Sequence, residues 1–235
     1  VHGLWDLIRR ARDHGELDVL REDALFFATP HETEISVNMT RITRTLGTDV
    51  WDLTYAEWEG RRQLREIVAF FRRYVPGLEK AYAVQTGTPV GVRETRRIRG
   101  EYQLSVEDVL QARKFSDAIA RCTYPVAIHN PTGPGTVLKR LPAGEWYDIP
   151  LRCLVPQQVE QLLVAGRCIS GTHETLSSYR VMPVAMATGQ AAGVGAALAV
   201  RESLPPRRLP ARLVQRELRR QGAMLGRSRS GVGRA

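Results

Sequence analysis

Hydrophobic and polar positions along the chain alternate between two periods. Residues 3–20 carry charge between Leu4, Leu7, Ile8 and Ala11, a spacing that predicts a surface helix. Residues 24–29 and 34–42 are β-formers on either side of Pro30-His31-Glu32, which predicts a hairpin with a loop. Thr54 with Glu57 reads as a capping box opening an amphipathic helix through about Tyr74, stopped by Pro76-Gly77. Tyr82–Gln85, Val90–Ile98 and Val126–Ile128 read as strands, and Ser105 with Asp108 starts a helix through about Arg113. Pro131–Gly135 and Pro142–Gly144 are turn-rich loops. Leu162–Ala165, closed by Gly166, has the length of a buried strand. A polar loop from Arg167 to Arg180 follows, and Pro183 near a first turn opens a helix to Val200. An amphipathic helix, Leu209–Leu218, precedes a Gly/Ser/Arg end that reads as disordered. This mixture predicts an α/β or α+β fold.

The helix to Val200 is unusual in composition. From Val181 onward it has no charge, and its strongly polar side chains are Thr188 and Gln190. Gly189, Gly193 and Gly195 each cost about 1 kcal/mol against alanine in a helix interior. Retaining them implies close approach by another backbone or by a flat ligand. A membrane span is the rival reading, since Gly189 and Gly193 have the spacing of a helix-dimer pattern. Alanine and glycine supply little transfer energy, so a buried helix is favoured. Strand, polar loop and helix together form a ligand crevice of the kind found at the carboxyl ends of strands in α/β sheets.

Composition adds bounds. The 235 residues suit one or two domains, and 43% hydrophobic content suffices for a core. Cys122, Cys153 and Cys168 lack metal-ligand spacing and an even count, which points to ordinary thiols in a reducing, cytoplasmic compartment. Cys168 reads as a small buried filler, with a redox role as the alternative. The net charge of +9 is concentrated after Val200, where ten arginines face Glu202 and Glu217. No aromatic residue interleaves with them, which argues for a solvated helix and tail and against nucleic-acid binding. The chain contains no HExxH, paired CxxC or GxSxG motif to support a metal site or a serine hydrolase.

Three segments carry a resemblance. LLVAGRCISGTHETLSSYRVMPVAMATGQAAG, PVGVRETRRIRGEYQLSVEDV from Pro89 to Val109, and YDIPLRCLVP from Tyr147 to Pro156 are similar to FAD-dependent oxidoreductases of the two-dinucleotide-binding-domain flavoprotein class. The similarity covers roughly residues 38–198. That class grips its flavin with an amino-terminal strand–GxGxxG–helix unit, and no such motif occurs here. With Val1 in first place, the resemblance implies the carboxyl-terminal part of a longer FAD/NAD(P)-binding flavoprotein, without the Rossmann βαβ unit. The implied division is a substrate or cap region at 1–150, a flavin-domain segment at 151–204, and a basic helix and tail at 205–235.

The resemblance implies FAD as cofactor, a small-molecule substrate, and an upstream FAD-binding segment as partner. Gly166, Arg167, Cys168, Ile169 and Ser170 would approach the ribityl and pyrophosphate region, while Val181, Met182 and Pro183 would lie beside the flavin ring. An acidic residue often binds the ribityl hydroxyls in this class. Arg167 stands there instead, which implies pairing with the pyrophosphate. His173 can move a proton near neutral pH, and Arg180 can hold a carboxylate or oxyanion. Structural pairing of Glu174 with Arg180 is the alternative.

In a strand Arg93, Thr95 and Arg97 would share one face, with Glu94 and Arg96 on the other. Arg93 and Arg96 are thus candidates for an anionic or carbonyl-bearing substrate, with an ion-pair ladder as the alternative. His129, ending a β-like run, is either an acid/base or a loop anchor. The expected activity is hydride transfer between substrate and flavin. The competing readings are a non-catalytic remnant or interaction domain and, more remotely, RNA binding through the tail.

Overall fold

The computed structural model describes residues 2–129 and 135–225. The chain divides into two compact units. Unit 1 comprises residues 1–95 and 129–136, and unit 2 comprises 96–128 and 137–235. Both mix helices with small antiparallel sheets, so the class is α+β.

Unit 1 begins with β1 (His2–Gly3) and α1 (Trp5–Asp13), followed by β2 (Ala24–Ala28) and β3 (Ile35–Asn38). The hairpin expected around Pro30 forms, with Leu25 opposite Asn38 and Ala28 opposite Ile35, and the sheet order is β1-β2-β3. The long helix α2 spans Val50–Tyr74. It starts a turn before the expected capping box. Asp49 is the N-cap and accepts from Trp51 N and Asp52 N at 2.8 and 3.0 Å. Thr54 instead donates back to Val50 O, and Glu57 accepts from Val90 N. Asp49 prevailed because it lies beside the first free N–H groups, whereas Thr54 is already inside the helix. Ile8, Ala11, Val19, Met39, Ile67 and Phe70 centre this unit's core.

Unit 2 contains α3 (Val106–Leu110), β4 (Ala118–Cys122), β5 (Val126–His129), β6 (Thr136–Lys139) and β7 (Tyr147–Pro150). His129 and Thr136, at the ends of the paired strands β5 and β6, are grouped with unit 1. The helices α4 (His173–Tyr179), α5 (Met182–Arg201) and α6 (Ala211–Arg220) follow. The Ser105/Asp108 capping box is present, although α3 ends at Leu110 rather than near Arg113, with Ala112 at positive φ just beyond. β4 pairs antiparallel with β7, and α5 packs on β4 and α6. Tyr147, Ile149, Leu154, Ile169, Tyr179 and Leu218 lie in the core.

Three expected strands are corrected. Tyr82–Gln85, Val90–Ile98 and Leu162–Ala165 join no sheet. Each has strand-forming composition, but a strand also needs a neighbour to bond, and composition alone does not provide one. The turn at Pro142–Gly144 forms, with Glu145 N donating to Pro142 O and Gly144 at φ +78. Most of the Pro131–Gly135 loop and the Gly/Ser/Arg tail from residue 226 lie outside the described residues.

α5 is long and apolar enough to cross a membrane, with 33% of its most apolar window buried. Its inner side, Val184, Thr188, Ala191, Val194 and Leu198, is buried within unit 2. Its outer side carries Met182, Met186, Gly189, Gly193 and Val200 to the surface. Several tail arginines are engaged locally. Arg207 pairs with Glu101 and Glu160 at 2.8 and 3.0 Å, and Arg220 pairs with Glu217 at 2.7 Å.

Candidate functional site

The site is built where three extended runs of unit 2 converge. Val164 N donates to Leu154 O, and Ser170 N donates to Cys153 O, both at 2.9 Å. On the other side, Ile98 N donates to Cys168 O at 3.0 Å and Leu104 N to Ser170 O at 3.2 Å. Arg97 Nε adds a bond to Gly171 O at 3.0 Å. Two glycines permit this approach. A Cβ on Gly100 would meet Ser170 Cβ at 2.7 Å, and one on Gly171 would meet Tyr179 Cε1 at 2.6 Å.

Between these runs Gly166 turns the chain at φ +72, a left-handed conformation that favours glycine. Its N–H donates to Thr188 Oγ1 at 3.0 Å, and that hydroxyl donates in turn to Val184 O at 2.9 Å. Thr188 thereby ties the turn to α5. The sequence signal for it is the lone hydroxyl in the charge-free run from Val181 to Val200.

Gly166, Arg167 and Cys168 form a short 3₁₀ turn, with Arg167 and Cys168 exposed. Cys168 is therefore not a buried filler, while Cys122 and Cys153 are buried. Burial pushes the Cys153 thiol up to about 12. Ile169 and Ser170 turn inward. Ile169 is fully enclosed, and Ser170 is 1% exposed with its Oγ unpaired among the described residues.

The expected loop from Arg167 to Arg180 contains a helix, α4. Thr172 caps it by accepting from Thr175 N, and Tyr179 locks it by donating its phenol to Ile169 O at 3.1 Å. The hydroxyls of this stretch serve as caps and internal bonds of a helix. His173 is the exposed first residue of α4 and Arg180 its half-buried C-cap. Seven residues at 1.5 Å rise place them about 10 Å apart along the axis. Glu174 lies below the usual carboxylate range, held there first by its own backbone N–H, then by the Thr172 hydroxyl, with smaller effects from His173 and Lys139.

Val181 links α4 to α5 and is the N-cap residue of α5, but its side chain makes no capping bond. Val181 O accepts from Val184 N and Ala185 N. Met182 N–H has no partner among the described residues, and Pro183 has no N–H to satisfy. Met182 and Met186 beside this helix start are 80% and 75% exposed. Arg96 is exposed on the run leading into Arg97, in unit 2. Arg93 is exposed and belongs to unit 1, and the run that was to set it with Thr95 and Arg97 on one strand face joins no sheet among the described residues. His129 ends β5, and its side chain lies outside the described residues.

The sequence model for FAD dependent oxidoreductases matches residues 4–218. The chain belongs to this family of FAD dependent oxidoreductases. No curated protein and no solved structure matches it. Membership sets FAD as the cofactor and flavin-dependent redox chemistry as the functional class. The match spans nearly all of both units.

Proposed function

We propose that this chain forms the carboxyl-terminal side of the flavin site in an oxidoreductase that moves hydride between FAD and a small substrate. The supporting observation is the bare start of α5, set directly after the α4 turn and beside the tight bend at Gly166. The unpaired Met182 N–H and the positive end of a 20-residue helix favour the negative charge of a reduced flavin. Val181, Met182 and Pro183 would hold the ring edge. Gly166 and Cys168 would bring backbone close to the cofactor, and Arg167 would pair with its pyrophosphate. Ile169 and Ser170 would act by holding that turn in place, because their side chains are buried and their backbones bond within unit 2.

FAD, when bound, accepts or returns the hydride. His173 would hold or release the accompanying proton, and Arg180 would bind substrate charge. Arg96 would extend the same preference for an anionic or carbonyl- and hydroxyl-bearing substrate.

The remainder of the cofactor grip would come from a polypeptide segment upstream of Val1. Two features support this. Leu162 to Val164 make one backbone bond among the described residues, Val164 N to Leu154 O, although they have the composition of a core strand. A Cβ at Gly189 or Gly193 would meet nothing within 4 Å, so these costly helix glycines face open space.

The test is flavin absorbance after purification. Residues 1–235 alone should retain little FAD, and the chain extended upstream should purify yellow with one FAD per chain. Stoichiometric FAD on residues 1–235 would refute the need for an upstream segment. A colourless extended chain that also fails to take up added FAD would leave the non-catalytic reading.

A further inference from the structure

One side of α2 is buried in unit 1, through Ala56, Glu59, Gln63, Ile67 and Phe70. On the side away from these, Trp51, Tyr55 and Trp58 are 77%, 50% and 58% exposed, and Leu46 and Val50 are exposed beside the helix start. Trp51, Trp58 and Arg65 are spaced seven residues apart, a series that drifts by only about 20° per step around a straight helix. They therefore form one line along the surface. The rings of Tyr55 and Trp58 lie with centroids 6.0 Å apart. Arg65 is exposed and makes no ion pair or hydrogen bond among the described residues.

Single aromatic residues on a surface are ordinary, whereas a contiguous group rimmed by charge marks an interaction face. The three rings expose on the order of 400 Å². Leu46, Val50 and the stem of Arg65 carry the face past the roughly 500 Å² per partner that a specific interface needs. Charge along the helix identifies the partner. Residues 49–59 carry Asp49, Asp52, Glu57 and Glu59 and no Lys or Arg, while residues 61–73 carry five arginines against Glu66. A nucleic acid or a lipid surface of one sign would attract one half of this face and repel the other. A face divided in this way is complementary to itself when two copies lie antiparallel.

We infer that α2 of one copy pairs antiparallel with α2 of a second copy, with Trp58 on the two-fold axis. Residues equally far from the axis then meet. Trp51 of one copy lies against Arg65 of the other, a cation–π contact made twice by symmetry. The acidic half of each helix runs along the basic half of its partner. The inference concerns α2 alone and stands whether or not the flavin reading holds.

Sedimentation velocity of residues 1–235 over a range of concentrations tests it. A reversible dimer is expected, and a monomer throughout overturns the inference. Trp58→Glu places two carboxylates on the axis and should weaken the dimer at least about tenfold. Unchanged association would mean that another surface joins the copies, which overturns it. Trp51→Lys and Arg65→Glu should each weaken the dimer, and the two combined should restore it, because the new charges attract across the axis. Within one chain these positions lie about 21 Å apart along the helix, so a folding defect cannot produce that rescue. Loss without rescue overturns the inference. So does a chain that stays monomeric and sediments with phospholipid vesicles through Trp51 and Trp58, since the face then belongs to a membrane.

Discussion

Cys168 and Cys153 are fifteen residues apart in sequence, and their surroundings are opposite. Cys168 is exposed on the turn proposed to meet the cofactor, so a thiol reagent should label it quickly in the native protein. Cys122 and Cys153 should react only on unfolding. Mass spectrometry of briefly labelled protein checks this, and rapid labelling of either buried thiol would contradict the fold described. Added FAD should slow labelling of Cys168 in the upstream-extended chain. Cys153 makes a second prediction. Its folded thiol titrates near 12 against an ordinary value of 9. The neutral thiol therefore contributes stability in full below pH 9, and that contribution is lost as pH rises toward 12. The slope is on the order of 1 kcal/mol per pH unit. Denaturant titrations from neutral to alkaline pH should show this loss, and Cys153→Ala should flatten it.

At the scale of elements, what could be read from sequence depended on how local the cause was. The Ser105/Asp108 capping box, the hairpin around Pro30 and the proline-led start of α5 are each decided within a few residues, and each formed. Tyr82–Gln85 and Leu162–Ala165 depend on a partner strand and remain unladdered. Among the hydroxyls of α4, Thr172 was recognisable as a cap only once the helix was known. The glycines of α5 allow a test of the partner idea. Gly189→Ala or Gly193→Ala meets no atom within 4 Å, so each should stabilise residues 1–235 by about 1 kcal/mol through helix propensity. In the extended chain the same methyl should weaken FAD retention or lower the melting temperature. Thermal melts of both chains read the sign directly, and stabilisation in both would show that nothing packs there.

For the whole molecule, sequence was enough for the α+β class, the FAD dependent oxidoreductase family and the cofactor. It was not enough to assemble the site. Arg93 and Arg96 are neighbours in sequence but divide between two units, and His173 and Arg180 stand at opposite ends of a helix that loop-like composition had concealed. Spacing along a chain says which residues can share an element, whereas their convergence depends on contacts between elements.

The outward side of α5 has a practical consequence for anyone handling residues 1–235 by themselves. Two methionines, a valine and a smooth run of glycine and alanine face water along one helix, a surface well suited to sticking to other copies. Preparations should thicken into higher-mass species as concentration rises, visible by light scattering. Met182→Glu combined with Met186→Glu should disperse them, and if the doubly charged variant clumps as readily, the adhesive surface is elsewhere.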